Sequence, residues 1–193
     1  MNRSDQLQEY FTREPVRPAG HGHEIRLYLA GSAKNGLAVK VPKGPHAQIQ
    51  RTIARHTNIK PVGGDLVVPF EKIDKIELIA SDSGAPITGY DPIVQEFIDP
   101  AAVLDSKLRK AVKEGDTDTI KRILAGVIEL REKLLQTGII LIDPIPGNMA
   151  MVNGRTKLVD VSAADVIGRE RTIEIFPSFF MGMPKPIFII ATA

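Results

Sequence analysis

The residues with the clearest capacity for chemistry lie between positions 139 and 162. Asp143 follows a short apolar run, Asn148 comes five positions later, and Asp160 follows two further apolar runs that Asn153–Gly154 separates. Asn-Gly between alternating apolar residues is a strong signal of a β-hairpin. We therefore expect the two acids and the asparagine to meet at one end of the hairpin. Their oxygens are hard ligands of the kind that Mg²⁺ prefers. The alternative is a polar hairpin in which the first acid caps a turn and the second faces solvent.

A second candidate set lies nearer the N-terminus. Gly20 and Gly22 precede one alternating apolar run, and a turn at residues 34–36 leads to another run, residues 37–41, which contains Lys40. Glycines let the backbone approach a phosphate closely, and a lysine on a neighbouring strand can reach it as a point charge. The set predicts phosphate binding, whereas the alternatives are an ordinary turn and a surface lysine on an edge strand.

The order of these residues resembles the motifs of the protein kinase-like fold. Asp143 and Asn148 match the D-x-x-x-x-N pattern of the kinase catalytic loop, Asp160 matches the acid of Asp-Phe-Gly, and Ala-Val-Lys-Val around Lys40 is similar to V-A-I-K. The resemblance implies an α+β, two-lobed minimal kinase-like fold, with a β-rich N-lobe and a reduced helical C-lobe. It also implies ATP and Mg²⁺ as cofactors. Asp143 and Lys40 would be catalytic, and Asn148 and Asp160 would bind the metal.

The same resemblance covers the nucleotide pocket. The two glycines would form the loop over the phosphates. Residues 93–100 are similar to the kinase hinge, so Glu96 and Ile98 would present the backbone groups that bind the adenine edge, with Gln95 at the back of the pocket. The alternative is an ordinary strand that stops at the following proline.

One departure from the family concerns the strand lysine. Kinases pair this lysine with a glutamate from the next helix, but no glutamate lies between Lys40 and Phe70. Gln50 is the nearest match by position, and Glu71 or Glu77 are the nearest carboxylates that could take its place.

The residues that flank both acids also differ from the family. Residues 161–162 are Val-Ser where kinases have Phe-Gly, and residues 141–142 are Leu-Ile where they have His-Arg. The arginine commonly receives an activation-loop phosphate. Its absence predicts a kinase that needs no such phosphorylation, or one that is inactive.

The composition is that of an ordinary soluble globular protein. The chain has 193 residues, of which 43% are hydrophobic and 25% charged, with a formal net charge of +2 and no cysteine. The small charge gives no electrostatic argument for nucleic acid or a membrane as partner, and we expect a monomer. The absence of cysteine excludes disulfides, thiolate catalysis and cysteine-ligated metals. No run is long enough to span a membrane as a helix.

We divide the chain into a polar N-terminal arm at residues 1–18, an N-lobe at residues 19–98 and a truncated C-lobe at residues 99–193. Apolar segments within residues 176–190 are expected to close the core of the small lobe, or alternatively to form an exposed partner patch.

Local patterns predict several further elements. The clearest is a helix with an apolar stripe that begins near Asp116 and stops at Gly138. His46 and His56 are expected to flank a helix at the surface. The remaining expectations are helical spacing at 46–56 and 101–114, an arm or short helix at 4–12, a strand at 66–70, a helix or strand at 71–78, and a loop at 81–92.

So short a kinase-like chain is similar to the minimal kinases that bacteria inject into host cells by type III secretion. Only 31 residues follow Ser162, which leaves little of the usual substrate platform. Together with the absent regulatory arginine, this resembles the effector family that phosphorylates the ninety-kilodalton heat-shock chaperone of the host. The resemblance implies an ATP-dependent Ser/Thr protein kinase, secreted into the host cytoplasm, that phosphorylates and inactivates a host protein. Without secretion the expected location is cytoplasmic.

Two alternatives from other classes stay open. The missing helix glutamate and the altered flanks of both acids fit a pseudokinase that serves as a nucleotide-binding or interaction module. A small-molecule kinase of the aminoglycoside type usually needs a larger acidic substrate lobe, which the sequence does not show.

Overall fold

A computed structural model describes residues 3–21, 25–31 and 36–167 of the chain. The predicted phosphate-loop residue Gly22 and the apolar segments within residues 176–190 lie outside the described residues. The described part has a β-rich N-terminal portion and a C-terminal portion built on two helices and a hairpin. The division of the chain at residues 18 and 98 stays a prediction.

A five-stranded antiparallel sheet forms the N-terminal portion, in the order β1-β2-β3-β7-β4. Strands β2 and β3 pair over their full length, and β3 then pairs with β7, with Lys40 opposite Ile93. The central position of β3 excludes the edge-strand alternative for Lys40. The strands are β1 (Val16–His21), β2 (Ile25–Ala30), β3 (Leu37–Pro42), β4 (Phe70–Lys72) and β7 (Ile93–Glu96).

The N-terminal segment is the helix α1 (Arg3–Arg13). Leu7 and Phe11 are one helical turn apart and are both buried in a core with residues of the sheet. The side-chain amide of Gln8 makes two hydrogen bonds with the backbone of Glu77. Its Nε2 donates to the Glu77 carbonyl at 2.9 Å, and its Oε1 accepts from the Glu77 amide at 3.0 Å. The segment is therefore a docked helix.

The loop predicted at residues 81–92 is wrong in its second half. A separate hairpin joins β5 (Lys75–Ile79) to β6 (Pro86–Tyr90). The turn signals are real, since Gly84 has φ 66°. Gly89, however, does not turn the chain. It leaves room for the side chain of Val41, because a Cβ at position 89 would lie 3.0 Å from Val41 Cγ2. Composition alone cannot separate a glycine that turns the chain from one that admits a neighbouring side chain.

The strand predicted at residues 66–70 is also mostly wrong. Leu66 ends a short 3-10 turn, and β4 begins only at Phe70. Val67 and Val68 are buried because they contact the C-terminal hairpin, where the Val68 amide donates to the Leu158 carbonyl at 2.9 Å. Their apolar character therefore reflects contact between the two portions of the chain.

Helix α2 (His46–Gly63) is longer than predicted and packs against both portions. Its buried residues Thr52, His56, Ile59 and Gly63 recur at helical spacing and form one face. Pro61 lies in the last turn and has no amide to donate to the Thr57 carbonyl, and the helix ends two residues later.

The C-terminal portion contains α3 (Leu104–Glu114) and α4 (Thr117–Gln136). The start predicted for α4 is confirmed, because Asp116 caps the helix by accepting from the Thr119 amide at 2.9 Å. The buried stripe of α4 shares one core with the short strands β8 (Ile139–Leu141), β9 (Met149–Val152), β10 (Arg155–Leu158) and β11 (Ala164–Val166). No described helix is long and apolar enough to cross a membrane.

Candidate active site

The hairpin predicted from Asn153–Gly154 is confirmed. Strands β9 and β10 pair from Val152 opposite Arg155 to Met149 opposite Leu158. Asn153 and Gly154 have φ of 51° and 76°, the left-handed conformations that a tight two-residue turn requires. The open end of this hairpin carries the residues that the sequence singles out.

Asn148 connects both predicted acids. Its backbone carbonyl accepts from the amides of Val159 and Asp160 at 2.9 and 3.2 Å. Its side-chain Nδ2 donates to the carbonyl and to Oδ2 of Asp143, at 2.9 and 3.2 Å. Because Nδ2 makes both bonds, Oδ1 is the atom that Asn148 can offer to a cation.

Asp143 is exposed on a loop whose backbone is hydrogen-bonded to Ala163. The amides of Ile142 and Asp143 donate to the Ala163 carbonyl at 2.8 and 3.1 Å. The loop that carries Asp143 is thus tied to the segment that follows Asp160. This leaves the Asp143 carboxylate facing solvent, where a substrate hydroxyl could reach it.

Lys40 crosses from β3 to this cluster. The residue is 7% exposed, and Nζ donates to the Val159 carbonyl at 3.0 Å and lies 3.7 Å from Asp160 Oδ1. Burial lowers the pKa of Lys40, and the charge of Asp160 opposes that change. The sheet and the hairpin therefore meet through a lysine–carboxylate pair between residues 120 positions apart.

The Asp160 carboxylate is held in its ionised form. Its Oδ1 accepts from the amide and the hydroxyl of Ser162 at 3.2 and 2.7 Å. Burial alone would raise the pKa of Asp160, but the charge of Lys40 and the two bonds from Ser162 together outweigh burial and lower it. An ionised, half-buried carboxylate is a suitable ligand for a divalent cation.

None of the residues considered as partners for the strand lysine takes that place in the described structure. Gln50 is exposed on α2. Glu71 pairs with Lys60 at 2.5 Å, and Glu77 pairs with Lys75 at 2.9 Å. The carboxylate beside the strand lysine comes from the hairpin segment instead.

The predicted hinge lies on β7 and the residues after it. Gln95 is buried, Glu96 is exposed opposite Leu37, and Ile98 is half-buried. Gly20 lies on β1 opposite Leu27. Their roles in nucleotide binding stay predictions, as do the roles assigned to the lysine, the acids and the asparagine.

A metal at this site would use Asn148 and Asp160. In the described part of the chain no group of three or more histidine, aspartate or glutamate side chains could hold a metal ion. Two protein oxygens fit Mg²⁺, which commonly completes its shell with phosphate oxygens and water. A cavity of about 790 Å³ lies elsewhere, between α4 and the turn of the hairpin.

Sequence reasoning missed the roles of Arg55, which contacts this cluster from α2, and of Ser162, which lies two residues after Asp160. Arg55 Nη1 donates to the Ser162 carbonyl at 3.0 Å, and Arg55 Nε lies 3.8 Å from Asp165 Oδ2. No local pattern marks Arg55. Ser162 is visible only as a departure from the family motif.

His56, expected at the surface, is 1% exposed. Its Nδ1 lies 2.8 Å from the Thr52 carbonyl, and its ring meets Phe70 edge-on at 5.2 Å between centroids. Its Nε2 is buried and has no hydrogen-bond partner among the described residues. Burial, the largest influence, lowers the pKa of His56 to about 4. The prediction failed because the burial of a helix residue depends on what packs against it.

No protein-family model and no curated protein matches this sequence. Among solved structures, the chain is similar to the crystal structure of an Stt7 homolog from Micromonas algae soaked with ATP, with a TM-score of 0.60 and 16% identity. The match covers 80% of this chain and 51% of that one, so the chain spans about half the length of its neighbour. The neighbour is a protein kinase, and the likeness confirms the predicted α+β kinase-like fold.

Proposed function

We propose that this protein is an ATP- and Mg²⁺-dependent Ser/Thr protein kinase. The observation that carries the proposal is the approach of Lys40 Nζ to within 3.7 Å of Asp160 Oδ1, beside the Asn148–Asp143 hydrogen bonds. On a kinase-like fold, this juxtaposes a cation for the phosphates, two oxygen ligands for a metal and an exposed carboxylate.

Each residue has a distinct task in this mechanism. Asp143 accepts the proton of the substrate hydroxyl, and its exposure leaves it open to a protein substrate. Lys40 gives its charge to the nucleotide phosphates. Asn148 and Asp160 would hold Mg²⁺, which would supply positive charge against the nucleotide phosphates. Glu96 and Ile98 would bind the adenine edge through their backbone, and Gly20 and Gly22 would cover the phosphates.

The finer proposal is a type III effector that acts in the host cytoplasm. It rests on the absent regulatory arginine, which resembles effector kinases, and it names the ninety-kilodalton heat-shock chaperone as the candidate substrate. We also propose that the protein acts as a monomer and binds neither nucleic acid nor a membrane. Incubation with purified chaperone, followed by mapping of the phosphorylated serine, tests it, and the absence of any phosphate on the chaperone would remove that substrate.

The kinase proposal is tested by transfer of the γ-phosphate from radiolabelled ATP to proteins of a cell lysate. The wild-type protein is compared with Asp143→Ala and Asp160→Ala. We expect transfer by the wild type and a loss of at least about 100-fold in each variant, because each removes a group that acts in the transition state. Equal transfer by all three proteins would refute the kinase proposal.

A pseudokinase is the second candidate. The observation that favours it is the position of Lys40, which is held by the hairpin segment while α2, whose sequence has no acidic residue, supplies no carboxylate. A pseudokinase would bind ATP without transferring phosphate. Stabilisation by nucleotide that does not depend on Mg²⁺, together with no labelled protein, would favour it.

A further inference from the structure

Helix α2 contacts the candidate active site without the ion pair that kinases use there. In protein kinases a helix glutamate pairs with the strand lysine and links the position of the helix to catalysis. Here α2 contains no aspartate or glutamate. It nevertheless packs on the 3-10 turn Val161–Ala163 and on β11, the segment that follows Asp160. The connection between α2 and the site must therefore use other groups.

Arg55 provides the contact from α2. Its guanidinium donates from Nη1 to the Ser162 carbonyl at 3.0 Å, and Nε lies 3.8 Å from Asp165 Oδ2. The Arg55 side chain is 23% exposed, so it is partly shielded from competing water. The planar guanidinium of Arg55 therefore contacts the segment that follows Asp160 at two residues, three positions apart.

Ser162 extends this contact to the carboxylate. Its amide and hydroxyl both donate to Asp160 Oδ1, at 3.2 and 2.7 Å. The same oxygen lies 3.7 Å from Lys40 Nζ. A continuous series of contacts therefore runs from Arg55 through Ser162 to Asp160 and Lys40. A glycine in place of Ser162 would lack the hydroxyl and its short bond.

We propose that Arg55 and Ser162 are positioning residues that connect α2 to the Asp160 carboxylate and take over the coupling that a helix glutamate performs in kinases. This inference rests on the proposed function, since Asp160 matters as a metal ligand only if the site binds Mg²⁺ and nucleotide. It makes α2 a control element, because a shift of the helix would move the Ser162 carbonyl and with it the orientation of Asp160.

The test compares Arg55→Gln and Ser162→Ala with Lys60→Gln. Lys60 is a matched control on the same helix, because it pairs with Glu71 of β4 and not with the segment that follows Asp160. For each protein we measure kcat, the KM for ATP, and the Mg²⁺ concentration that gives half-maximal thermal stabilisation by ATP. Melting of each variant without ligand shows whether it folds, and Arg55→Lys keeps a charge opposite Asp165 if Arg55→Gln does not fold.

We expect kcat and the Mg²⁺ requirement to change much more than the KM for ATP. Arg55→Gln and Ser162→Ala should each lower kcat about tenfold and raise the half-maximal Mg²⁺ concentration severalfold, whereas the KM for ATP changes less than about threefold. Lys60→Gln should match the wild type in all three. Because the two residues act in series, the double variant should lose no more than about the larger single loss.

Two results would overturn the inference. One is an unchanged Mg²⁺ requirement in both single variants. The other is a double variant whose loss is the product of the single losses, since independent effects multiply. The Mg²⁺ measurement does not require phosphate transfer, so a protein that binds Mg²⁺ and ATP without transferring phosphate fails the kinase proposal but still tests this one. A wild-type protein that ATP and Mg²⁺ do not stabilise refutes both.

Discussion

Lys40 illustrates how a charged side chain can be buried between two portions of a chain. A buried ammonium group loses its hydration and needs a partner. Here the partners are the Val159 carbonyl and the Asp160 carboxylate, both supplied by the hairpin segment. Nucleotide phosphates would take over this neutralising role.

We predict that Lys40→Met folds but transfers phosphate at least about 100-fold more slowly than the wild type. Methionine fills a similar volume and removes the cost of burying a charge, so urea unfolding should show a native-like cooperative transition. The transfer rate is measured with radiolabelled ATP. A Lys40→Met protein with wild-type transfer would show that this lysine is structural.

The burial of His56 makes the stability of the fold depend on pH. The unfolded chain binds a proton with a pKa near 6.5, whereas burial holds the folded pKa at about 4. Between these values the unfolded state binds more protons, so the stability due to neutral His56 is complete above pH 6.5 and is lost as the pH falls toward 4.

We therefore predict that the wild type loses about 2 kcal/mol more unfolding free energy between pH 7 and pH 5 than His56→Leu. Leucine is apolar and does not titrate, and groups that the two proteins share cancel in the comparison. Urea unfolding at both pH values measures the difference. Parallel losses in the two proteins would mean that His56 titrates normally.

At the scale of elements, α4 and the hairpin approach each other closely at Gly126. A Cβ on Gly126 would lie 2.4 Å from Thr156 Oγ1, a buried hydroxyl without a hydrogen-bond partner among the described residues. Glycine therefore permits the contact between the helix and β10, which leads to Asp160.

We predict that Gly126→Ala lowers the unfolding free energy by about 1–3 kcal/mol, because overpacking outweighs a gain in helix propensity of about 1 kcal/mol. The control is Ala125→Gly at the exposed neighbouring position, which should lose only about 1 kcal/mol through propensity. A stabilised Gly126→Ala would contradict the close packing.

Elements with strong local signals could be predicted from the sequence. The turn at Asn153–Gly154 and the cap at Asp116 depend on residues close in sequence, and the structure confirms both. The order of Lys40, Asp143 and Asp160 also predicted the fold. Local patterns are informative where the energy of an element comes mostly from its own residues.

The features that sequence reasoning missed depend on contacts distant in sequence. Gly89 of β6 leaves space that Val41 occupies, and the ring of His56 packs edge-on against Phe70. Arg55 meets Ser162 across 107 positions. None of these contacts leaves a periodic pattern in the chain, so only the folded structure shows them.

On the scale of the whole molecule, the candidate site lies where the two portions of the chain meet. One core joins α1 to the sheet, and the other joins α2 and β4 to α4 and the hairpin. Lys40 comes from the sheet and Asp160 from the hairpin segment. A ligand that bridges them would hold the two portions together, and binding to the folded state alone would stabilise the fold.

The most direct test of this account is calorimetric titration of ATP with and without Mg²⁺, for the wild type and Asp160→Ala. We predict that Mg²⁺ strengthens ATP binding by the wild type at least about tenfold and has little effect on Asp160→Ala, because the variant lacks the carboxylate that we propose as a metal ligand. Equal ATP affinity of the wild type with and without Mg²⁺, or an undiminished Mg²⁺ effect in Asp160→Ala, would contradict a metal-bound nucleotide at this site.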